Sequence, residues 1–241
     1  MPSTLPLSQL LRARTRSAHR AIESLDFLRS FLRGVVEMRA YCRYLRDLLH
    51  VYEKLESSLA ANHAHPMVRP LLLPVLWRQT ALLADLRFLA PELQLSERPS
   101  PAALAYGVRL SWLGCQHPEL LVAHAYARYL GDLSGGQILR RIAARALQLR
   151  DDQGLAFYGY PEGTDLQALK REYRARLDEL PVNDVLAERI ADEAVVAFQC
   201  NGDLLRERSG SAWMGVWKLL SRPNSALLHD PGVGQRRIPQ P

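Results

Sequence analysis

The sequence predicts an all-α protein with a single domain, and three observations support this fold class. Leu and Ala supply 72 of the 241 residues, whereas the Val, Ile and Thr residues that favour β-strands supply only 22. Apolar residues recur at steps of three and four along most of the chain. The length is about 1.6 times that of a typical domain, which favours one large domain over two.

The helices predicted in the first hundred residues begin and end at clear signals. The first two are expected from about residue 8 to beyond residue 22, and from about residue 37 to residue 60. The buried face of the second is rich in tyrosine. Three prolines then remove backbone donors, so a short turn is expected before a helix that begins near Val75. These prolines are Pro66, Pro70 and Pro74.

Four further helices are predicted in the rest of the chain. Ser100 and Pro101 have the residue types of an N-cap and a first helical position. Thr164, followed three residues later by Gln167, resembles a capping box. The predicted helices span residues 101–114, 118–147, 164–180 and 183–208.

Composition excludes several classes of protein. No stretch approaches the roughly 18 uninterrupted apolar residues of a membrane-spanning helix, and the first residues lack a secretory core, so we expect a soluble, cytoplasmic protein. The three cysteines form no CxxC pair, which indicates reduced and packed thiols; they are Cys42, Cys115 and Cys200. Residues 222–241 contain four prolines and two glycines and are predicted to form a disordered tail after a domain spanning 1–221.

Basic residues are concentrated near the N-terminus. The formal net charge is +6, with 28 Arg and only 3 Lys, and the first 50 residues contain nine Arg and four acids. Such a charge suits nucleic acid or an acidic protein partner. Because Glu23 and Asp26 interrupt the Arg run and no nucleic-acid-binding motif accompanies it, we favour an acidic partner.

The segment HAYARYLGDLSGGQILRR places three glycines inside a predicted helix: Gly131, Gly135 and Gly136. Together they cost about 2 to 3 kcal/mol relative to alanine, so a function is expected to require them. Gly131 and Gly135 lie one turn apart and expose a strip of backbone, which suits a flat ligand or a closely packed helix. Asp132 favours the ligand over the packed helix, because a carboxylate beside the strip is costly to bury without a hydrogen-bonding partner. An ion pair with Arg128 is the alternative explanation of Asp132.

The segment RARTRSAHRAIES aligns four side chains on one helical face: Arg12, Arg16, His19 and Glu23. A carboxylate one turn from a histidine can orient one ring nitrogen while the other binds a metal. The two guanidinium groups suit anionic groups at the edge of the same ligand. A solvated histidine on a basic helix is the alternative interpretation.

The two segments point to one ligand, which is haem. Haem contains iron for His19, carries two carboxylates for the arginines, and has a flat face for the glycine strip. His124 is a competing candidate for the iron ligand. His63 and His65 form an HxH pair in a loop and are expected to be solvated.

The run PELLVAHAYARYLGDLSGGQ closely resembles the signature of the haem oxygenases, and the similarity extends from about Ser8 to Arg208. GLAFYGYP and KREYRARL also resemble family segments, in the expected order. The resemblance implies a helical fold that sandwiches haem b between a proximal helix and a kinked distal helix. It implies that dioxygen and external electrons open the haem ring, and that the products are biliverdin, the IX-alpha isomer, carbon monoxide and ferrous iron.

The resemblance also assigns roles to individual residues. His19 matches the axial iron ligand and Glu23 its hydrogen-bonding partner. Asp132 matches a distal carboxylate that organises proton-delivering water, and the glycine strip leaves room for the reacting oxygen. The polar residues that match the surroundings of this water are Tyr52, Tyr106, Arg128 and Asn201. The residues that match haem contacts or their supports are Arg12, Arg16, Phe31, Tyr126, Gly131, Gly135, Gly136, Lys170, Arg174 and Phe198. Arg12 and Arg16 stand where the family often has lysine, so their hydrogen-bond geometry is expected to differ.

The resemblance leaves an alternative function and several partners to consider. A haem carrier or haem sensor without ring-opening chemistry is the alternative, but neither needs the proton-delivery residues Asp132, Arg128 and Tyr52. The electron donor is expected to be acidic, as ferredoxin, flavodoxin or a flavin reductase would be. No membrane anchor is expected, because the chain ends in HDPGVGQRRIPQP. Trp213 and Trp217 are expected to pack against the body, with a docking surface as the alternative.

Overall fold

The computed structural model describes residues 5–25, 31, 33–34, 37–91, 98–150 and 153–220, and side chains only as far as residue 207. The described part contains seven α-helices and no β-strand, which confirms the predicted all-α class. The α-helices are α1 Leu7–Glu23, α2 Met38–Ala61, α3 Gln79–Leu89, α4 Pro101–Gln116, α5 Leu121–Ala146, α6 Leu166–Asp178 and α7 Asp184–Leu220. Short 3-10 turns occupy Arg69–Leu71, Pro74–Leu76, Pro118–Leu120 and Ala156–Tyr158. The tail 222–241 and the side chains of Trp213 and Trp217 lie outside the described residues.

The helix boundaries confirm most of the predicted signals and correct three of them. Ser100 caps α4 by accepting a hydrogen bond from the amide of Ala103 at 3.1 Å. The α-helix predicted from Val75 begins only at Gln79, because a proline-containing 3-10 turn precedes it. Asp165, rather than Thr164, caps α6. The last helix continues to Leu220, beyond the predicted end near residue 208.

The long helix α7 is the common support of the fold. It packs against α1 on one side and against α5 on another, and α2 packs against α3 and α4. The core between these helices is built from leucine and tyrosine; its largest fully buried side chains include Tyr41, Tyr52, Tyr106, Tyr129 and Tyr173. Because α1 and α5 share one support, the space between them is set by how each packs on α7.

The N-terminal half of α1 is fixed by polar contacts with other helices. Its N-cap position, Pro6, offers no capping side chain. The Asp178 carboxylate at the end of α6 takes that role by accepting from the Ser8 amide at 2.7 Å and the Ser8 hydroxyl at 2.9 Å. Arg14 binds Glu188 at 2.9 Å and also Asp192, both on α7. These contacts anchor the half of α1 that precedes His19.

Two features that the sequence analysis considered are settled by the described residues. The three cysteines are free thiols, but Cys115 is exposed rather than packed, whereas Cys42 is buried. None of the described helices is long and apolar enough to cross a membrane.

Candidate active site

An open space, called the cleft below, lies beside Gly131 and Gly135 of α5. The helices α1 and α5 meet where the hydroxyl groups of Thr15 and Tyr126 form a hydrogen bond. Beyond the backbone of α5 itself, no described atom lies within 4 Å of a Cβ built at Gly131 or Gly135, and at Gly136 the nearest is Tyr158 Cδ1 at 3.8 Å. Among the described residues, close helix packing therefore does not explain Gly131 and Gly135. The bare strip borders open space, as a flat ligand requires.

His19 stands on α1 with its ring accessible. Its Nδ1 lies 3.4 Å from a carboxylate oxygen of Glu23, one turn later. Both side chains are more than half exposed. The ring of Phe198, from α7, lies with its centroid 5.8 Å from the imidazole centroid. The predicted pairing of His19 with Glu23 is thus present, next to an aromatic side chain of the supporting helix.

Basic side chains from α1 and α6 cluster near Tyr126. Arg12 and Arg174 both act electrostatically on Lys170; burial and these two positive neighbours lower the pKa of Lys170. The same two arginines also act on the hydroxyl of Tyr126. Arg16, one turn after Arg12, is exposed. Like charges gathered in this way repel one another unless an anion neutralises them, so the cluster suits a ligand with carboxylates.

The distal polar residues form one hydrogen-bonded group on the other wall. Tyr52 donates its hydroxyl proton to the Asp132 carboxylate and accepts from Arg128 Nε at 3.1 Å. Arg128 also donates to Asn201 Oδ1 at 2.8 Å and lies 3.6 Å from Asp132 in an ion pair. The predicted ion pair of Asp132 with Arg128 is therefore present, and Asp132 directly follows Gly131 of the glycine strip in the sequence.

Burial controls the acidity of this group. It raises the pKa of Asp132, and the nearby Arg128 charge and the Tyr52 hydrogen bond oppose the shift only partly. It also raises the pKa of Tyr52 well above its ordinary value, despite Arg128. A carboxyl group whose pKa is raised by burial holds its proton more readily than a solvated one.

The competing ligand candidates do not fit. His124 is fully buried; its Nδ1 lies 3.1 Å from the Tyr106 hydroxyl and its Nε2 lies 2.7 Å from the Glu193 carboxylate. With both nitrogens engaged, His124 cannot bind iron, so that alternative is wrong. His63 is exposed, as predicted, with Nδ1 3.1 Å from the Ala60 carbonyl, whereas His65 is half-buried and its Nδ1 accepts from the Met67 amide at 3.2 Å.

Comparison with known proteins identifies the family. The family model described as Heme oxygenase matches residues 5–207. The chain belongs to the haem oxygenase family. Heme oxygenase 1 of Nostoc sp. is 38% identical over 219 residues, which are 89% of this chain and 90% of that protein. Human heme oxygenase 1 is 38% identical over 211 residues, 86% of this chain and 73% of the human protein.

Solved haem oxygenase structures share the fold. The crystal structure of heme oxygenase-1 from Synechocystis sp. in complex with heme has a TM-score of 0.86 and 38% identity, covering 90% of this chain and 98% of that one. The heme oxygenase of Leptospira interrogans has a TM-score of 0.81 and 40% identity, covering 84% of this chain and all of that one. The predicted family and all-helical fold are confirmed.

In this haem oxygenase, buried charges hold an aromatic loop against the glycine end of α5. Arg78 donates to the carbonyl of Gly159 at 2.7 Å, and its guanidinium lies 4.4 Å from the ring centroid of Tyr160. Asp85 accepts from the amides of Ala156 and Phe157, both at 2.7 Å. Gln137 donates to the Tyr158 carbonyl at 2.8 Å. The loop that carries GLAFYGYP is therefore held against the end of the glycine strip, where Tyr158 Cδ1 lies 3.8 Å from a Cβ built at Gly136.

Sequence reasoning missed two polar residues of α2 near the distal group. Tyr44 hydrogen-bonds with Arg128 and also interacts with Asp132. Glu56 is buried and accepts from the amides of Arg78 at 2.5 Å and Gln79 at 3.3 Å, so it caps α3. Burial raises the pKa of Glu56 to about 7. The signal for Tyr44 was its place on the tyrosine-rich face of α2; Glu56 has no local signal, because its partners are more than 20 residues away.

Haem fits the residues present. The open strip beside Gly131 and Gly135 provides room for a flat ring. An accessible imidazole stands on the neighbouring helix, and a cluster of cations lies at one side. Each feature matches one part of haem: ring face, iron and propionates.

Proposed function

We propose that the protein binds haem b between α1 and α5 and opens its ring oxidatively, yielding biliverdin, carbon monoxide and ferrous iron. The observation that carries the proposal is the open space beside Gly131 and Gly135, next to the hydrogen-bonded Asp132 carboxylate. When bound, haem supplies the iron at which dioxygen reacts and is also the substrate whose ring is opened. Biliverdin IX-alpha is the proposed isomer.

His19 would hold the iron through Nε2. Its Nδ1 faces Glu23 at 3.4 Å, and such a carboxylate fixes the tautomer and raises the basicity of a ligating imidazole. Phe198 supports the imidazole from α7. A neutral imidazole donates less electron density to iron than a thiolate does, which suits ring oxidation better than early cleavage of the oxygen–oxygen bond.

Cationic side chains would bind the haem propionates. Arg12 and Arg16 extend from α1, and Lys170 and Arg174 extend from α6, so two helices share the task. The planar forks of the arginines can bind carboxylates in a bidentate manner. Tyr126 would support this cluster from α5 through its hydrogen bond to Thr15.

Asp132 would manage the protons of the reaction. Tyr52 and Arg128 hold its two oxygens in place, and Asn201 in turn holds Arg128. A carboxyl group held in this way can order water in the cleft and pass protons from that water without moving itself. Because every partner is nearly buried, the group is positioned before any ligand arrives.

The electrons would come from an acidic redox protein. Exposed basic residues lie on α1 and α6, among them Arg12, Arg16 and Arg174, and complementary charge speeds transient docking. Ferredoxin, flavodoxin or a flavin reductase fits this description. We propose that the protein works in the cytoplasm, where such donors and reduced thiols occur together.

One experiment tests the proposed reaction. The protein is reconstituted with haem without oxygen, and air is then admitted together with ascorbate or a ferredoxin system. We expect the Soret band to decay, carbon monoxide to form, and chromatography to find a single biliverdin isomer. A Soret band that persists with no bilin product would identify the protein as a haem carrier or sensor instead.

A further inference from the structure

The exposed face of α4 is a surface that the proposed function does not use. Leu104, Val108 and Trp112 are 43%, 70% and 51% exposed. They stand about one turn apart, so they form a single stripe along the helix. They are three of the eight large apolar side chains that are exposed in the described part of the chain. Exposed apolar residues that are contiguous mark an interaction surface, whereas scattered ones need no explanation.

The stripe lies in a face without charge. None of the exposed residues of α4 is charged; they are Pro101, Leu104, Ala105, Val108, Ser111, Trp112, Cys115 and Gln116. The one charged residue of the helix, Arg109, is partly buried and donates to both oxygens of Glu193. Each of the other six described α-helices has at least one charged residue among its exposed positions. The face of α4 is therefore unlike the exposed faces of the other described helices.

Charged residues lie at the edges of this face. On the α2 side, the exposed Lys54 lies close to α4, since its Cγ is 3.2 Å from a Cβ built at Gly107. On the α7 side, the exposed Glu207 accepts a hydrogen bond from the Ala102 amide at 3.1 Å. An uncharged centre inside a polar rim is the usual anatomy of a protein–protein interface.

The lack of charge decides which kind of partner the face fits. An acidic electron donor needs cations opposite its carboxylates, and the exposed positions of α4 provide none. A helix that binds a lipid surface is rich in Lys and Arg on its polar face, whereas α4 has one Arg, which is bound to Glu193. A second copy of the chain brings an equally uncharged face, so no unpaired charge is buried between the two.

We propose that two copies of this protein associate through their α4 faces, about a two-fold axis that passes next to Val108. Val108 is the most exposed residue of the stripe and stands midway between Leu104 and Trp112. An axis at this point buries all three side chains at once, whereas a displaced axis leaves one of them in water. It also brings the two copies of Val108 together at whatever angle the helices cross. The proposal goes beyond the proposed function and does not depend on it.

The size of the face sets the strength of the association. A helix of 16 residues is about 24 Å long and presents a face about 10 Å wide. Two copies therefore bury about 500 Å² through α4 alone, and the rim adds to this area. Specific and permanent complexes bury about 1,200 Å² or more, so the dimer is weak and reversible, with a dissociation constant on the order of 100 µM.

Sedimentation equilibrium of the full-length, haem-free chain tests the association directly. A reductant is kept present, because Cys115 on the same face is exposed and a disulfide between copies would imitate docking. We expect the mean mass to rise from that of one copy toward that of two as the protein concentration approaches about 1 mM. A wild-type chain that remains monomeric at that concentration would overturn the proposal, whether or not the protein makes biliverdin.

A charge-swap experiment locates the two-fold axis. Val108→Glu and Val108→Lys each place two like charges next to the axis, so each variant alone should associate at least about tenfold more weakly than the wild type. An equal mixture of the two variants pairs opposite charges and should recover the wild-type affinity. Both variants are expected to fold, because the side chain is 70% exposed. A mixture that associates no better than either variant alone would show that the axis does not pass next to Val108, and the proposal would be wrong.

Salt separates this contact from one driven by charge. Each copy carries a formal net charge of +6, and the face itself carries none, so NaCl at about 0.5 M instead of about 0.1 M should strengthen the association about threefold. Association that weakens with salt would overturn the proposal. So would a monomeric chain that sediments with vesicles of phosphatidylcholine and phosphatidylglycerol, because the face would then bind lipid.

Val185→Glu is the matched control. Val185 is 72% exposed, nearly as much as Val108, but lies in the first turn of α7 and not on α4. The control variant should associate as the wild type does, within about twofold. An equal loss of association in Val185→Glu and Val108→Glu would show that an added charge separates the copies wherever it stands, and the assignment to α4 would fail.

Discussion

The two helices on either side of the proposed haem site, α1 and α5, differ in how far their residues are buried. Each is called a wall of the cleft below. On α1 the buried residues are Leu7, Leu11 and Thr15. From Arg16 to Glu23 only Ala18 and Ile22 are half-buried, and the other residues are exposed. On α5 every residue from Leu121 to Leu130 is buried, and the partly buried Asp132 comes two residues later, after Gly131. The wall with the proposed iron ligand is open to arriving haem, whereas the wall with the proposed proton carrier is fixed in the core.

The two helices thus separate ligand binding from proton transfer in the proposed reaction. A residue that must capture a large ligand gains from exposure, because the ligand needs a path to it. A residue that must place protons gains from partners that hold it still, and burial makes those partners stronger. Substitutions on α1 and on α5 are therefore expected to have different effects.

The largest effect is expected on the open wall. His19→Ala should abolish the imidazole–iron spectrum and lower turnover by about 1,000-fold, and added imidazole should restore part of both. Folding stability should hardly change, because the side chain is exposed. Visible spectroscopy, bilin assays and thermal melting measure the three quantities. His63→Ala, which removes another exposed histidine, should leave spectrum and turnover at wild-type values.

On the buried wall, Asp132→Ala should keep haem bound but lower ring opening by about 100-fold, because Tyr52 and Arg128 lose the group they position. A gain of peroxidase activity is expected in its place. Bilin yield, haem titration and a peroxidase assay measure the change. A biliverdin yield equal to that of the wild type would refute the role of Asp132.

Glu56 provides a pH test of the buried region. Its pKa is raised from 4.5 to about 7, so the folded protein favours the protonated form. The stability that this preference contributes is complete below pH 4.5 and is lost as pH rises through 7. The free energy of unfolding of the wild type, minus that of Glu56→Gln, should therefore fall by about 3 kcal/mol over this range.

Urea unfolding at several pH values measures that difference. Burial also raises the pKa values of Asp85 and Asp132, so only the difference between the two proteins isolates Glu56. A pH-independent difference would contradict the proposed protonation of Glu56.

Gly131→Ala, in the glycine strip of α5, should stabilise the haem-free protein but lower its affinity for haem. Alanine favours the helix, and its Cβ meets only open space, so the haem-free protein should gain up to about 1 kcal/mol. Haem affinity should fall by about tenfold because the methyl group occupies the cleft. Gly114→Ala is the control: its Cβ would lie 2.9 Å from that of Ser58, so it should destabilise the protein.

The smallest effect is expected at the anchor of α1. Arg14→Met removes its ion pairs with Glu188 and Asp192, but all three side chains are about half exposed or more. The loss of stability should stay below about 1 kcal/mol and shrink further in 1 M salt. Thermal melting at two salt concentrations tests this. A larger, salt-independent loss would show that α1 is held as rigidly as α5.

The sequence predicted features that depend on helical spacing. The alignment of His19 with Glu23, and of Arg128 with Asp132, follows from steps of four residues, so both pairs were found. The open strip at Gly131 and Gly135 was predicted for the same reason. Ser100 was identified as a cap because its partner is three residues away.

Features that depend on distant partners could not be predicted in this way. Glu193 meets His124 across 69 residues, and Asp178 caps α1 across 170. His124 was considered as an iron ligand because its burial and its two hydrogen-bonding partners are set by tertiary packing, which the local sequence does not show. Val75 was placed in an α-helix because the spacing of apolar residues does not distinguish an α-helix from a short 3-10 turn that follows a proline.

Capping by distant carboxylates has a consequence for cooperativity. The start of α3 depends on Glu56 of α2, the turn at Ala156–Tyr158 depends on Asp85 of α3, and α1 depends on Asp178 of α6. None of these three ends has its capping group in its own segment, so none is stabilised before the helices assemble. The amides of Arg78 and Phe157, whose hydrogen bonds are buried, should exchange with solvent deuterium together, in the opening event that unfolds the whole domain, whereas the exposed Ser8 amide should exchange sooner.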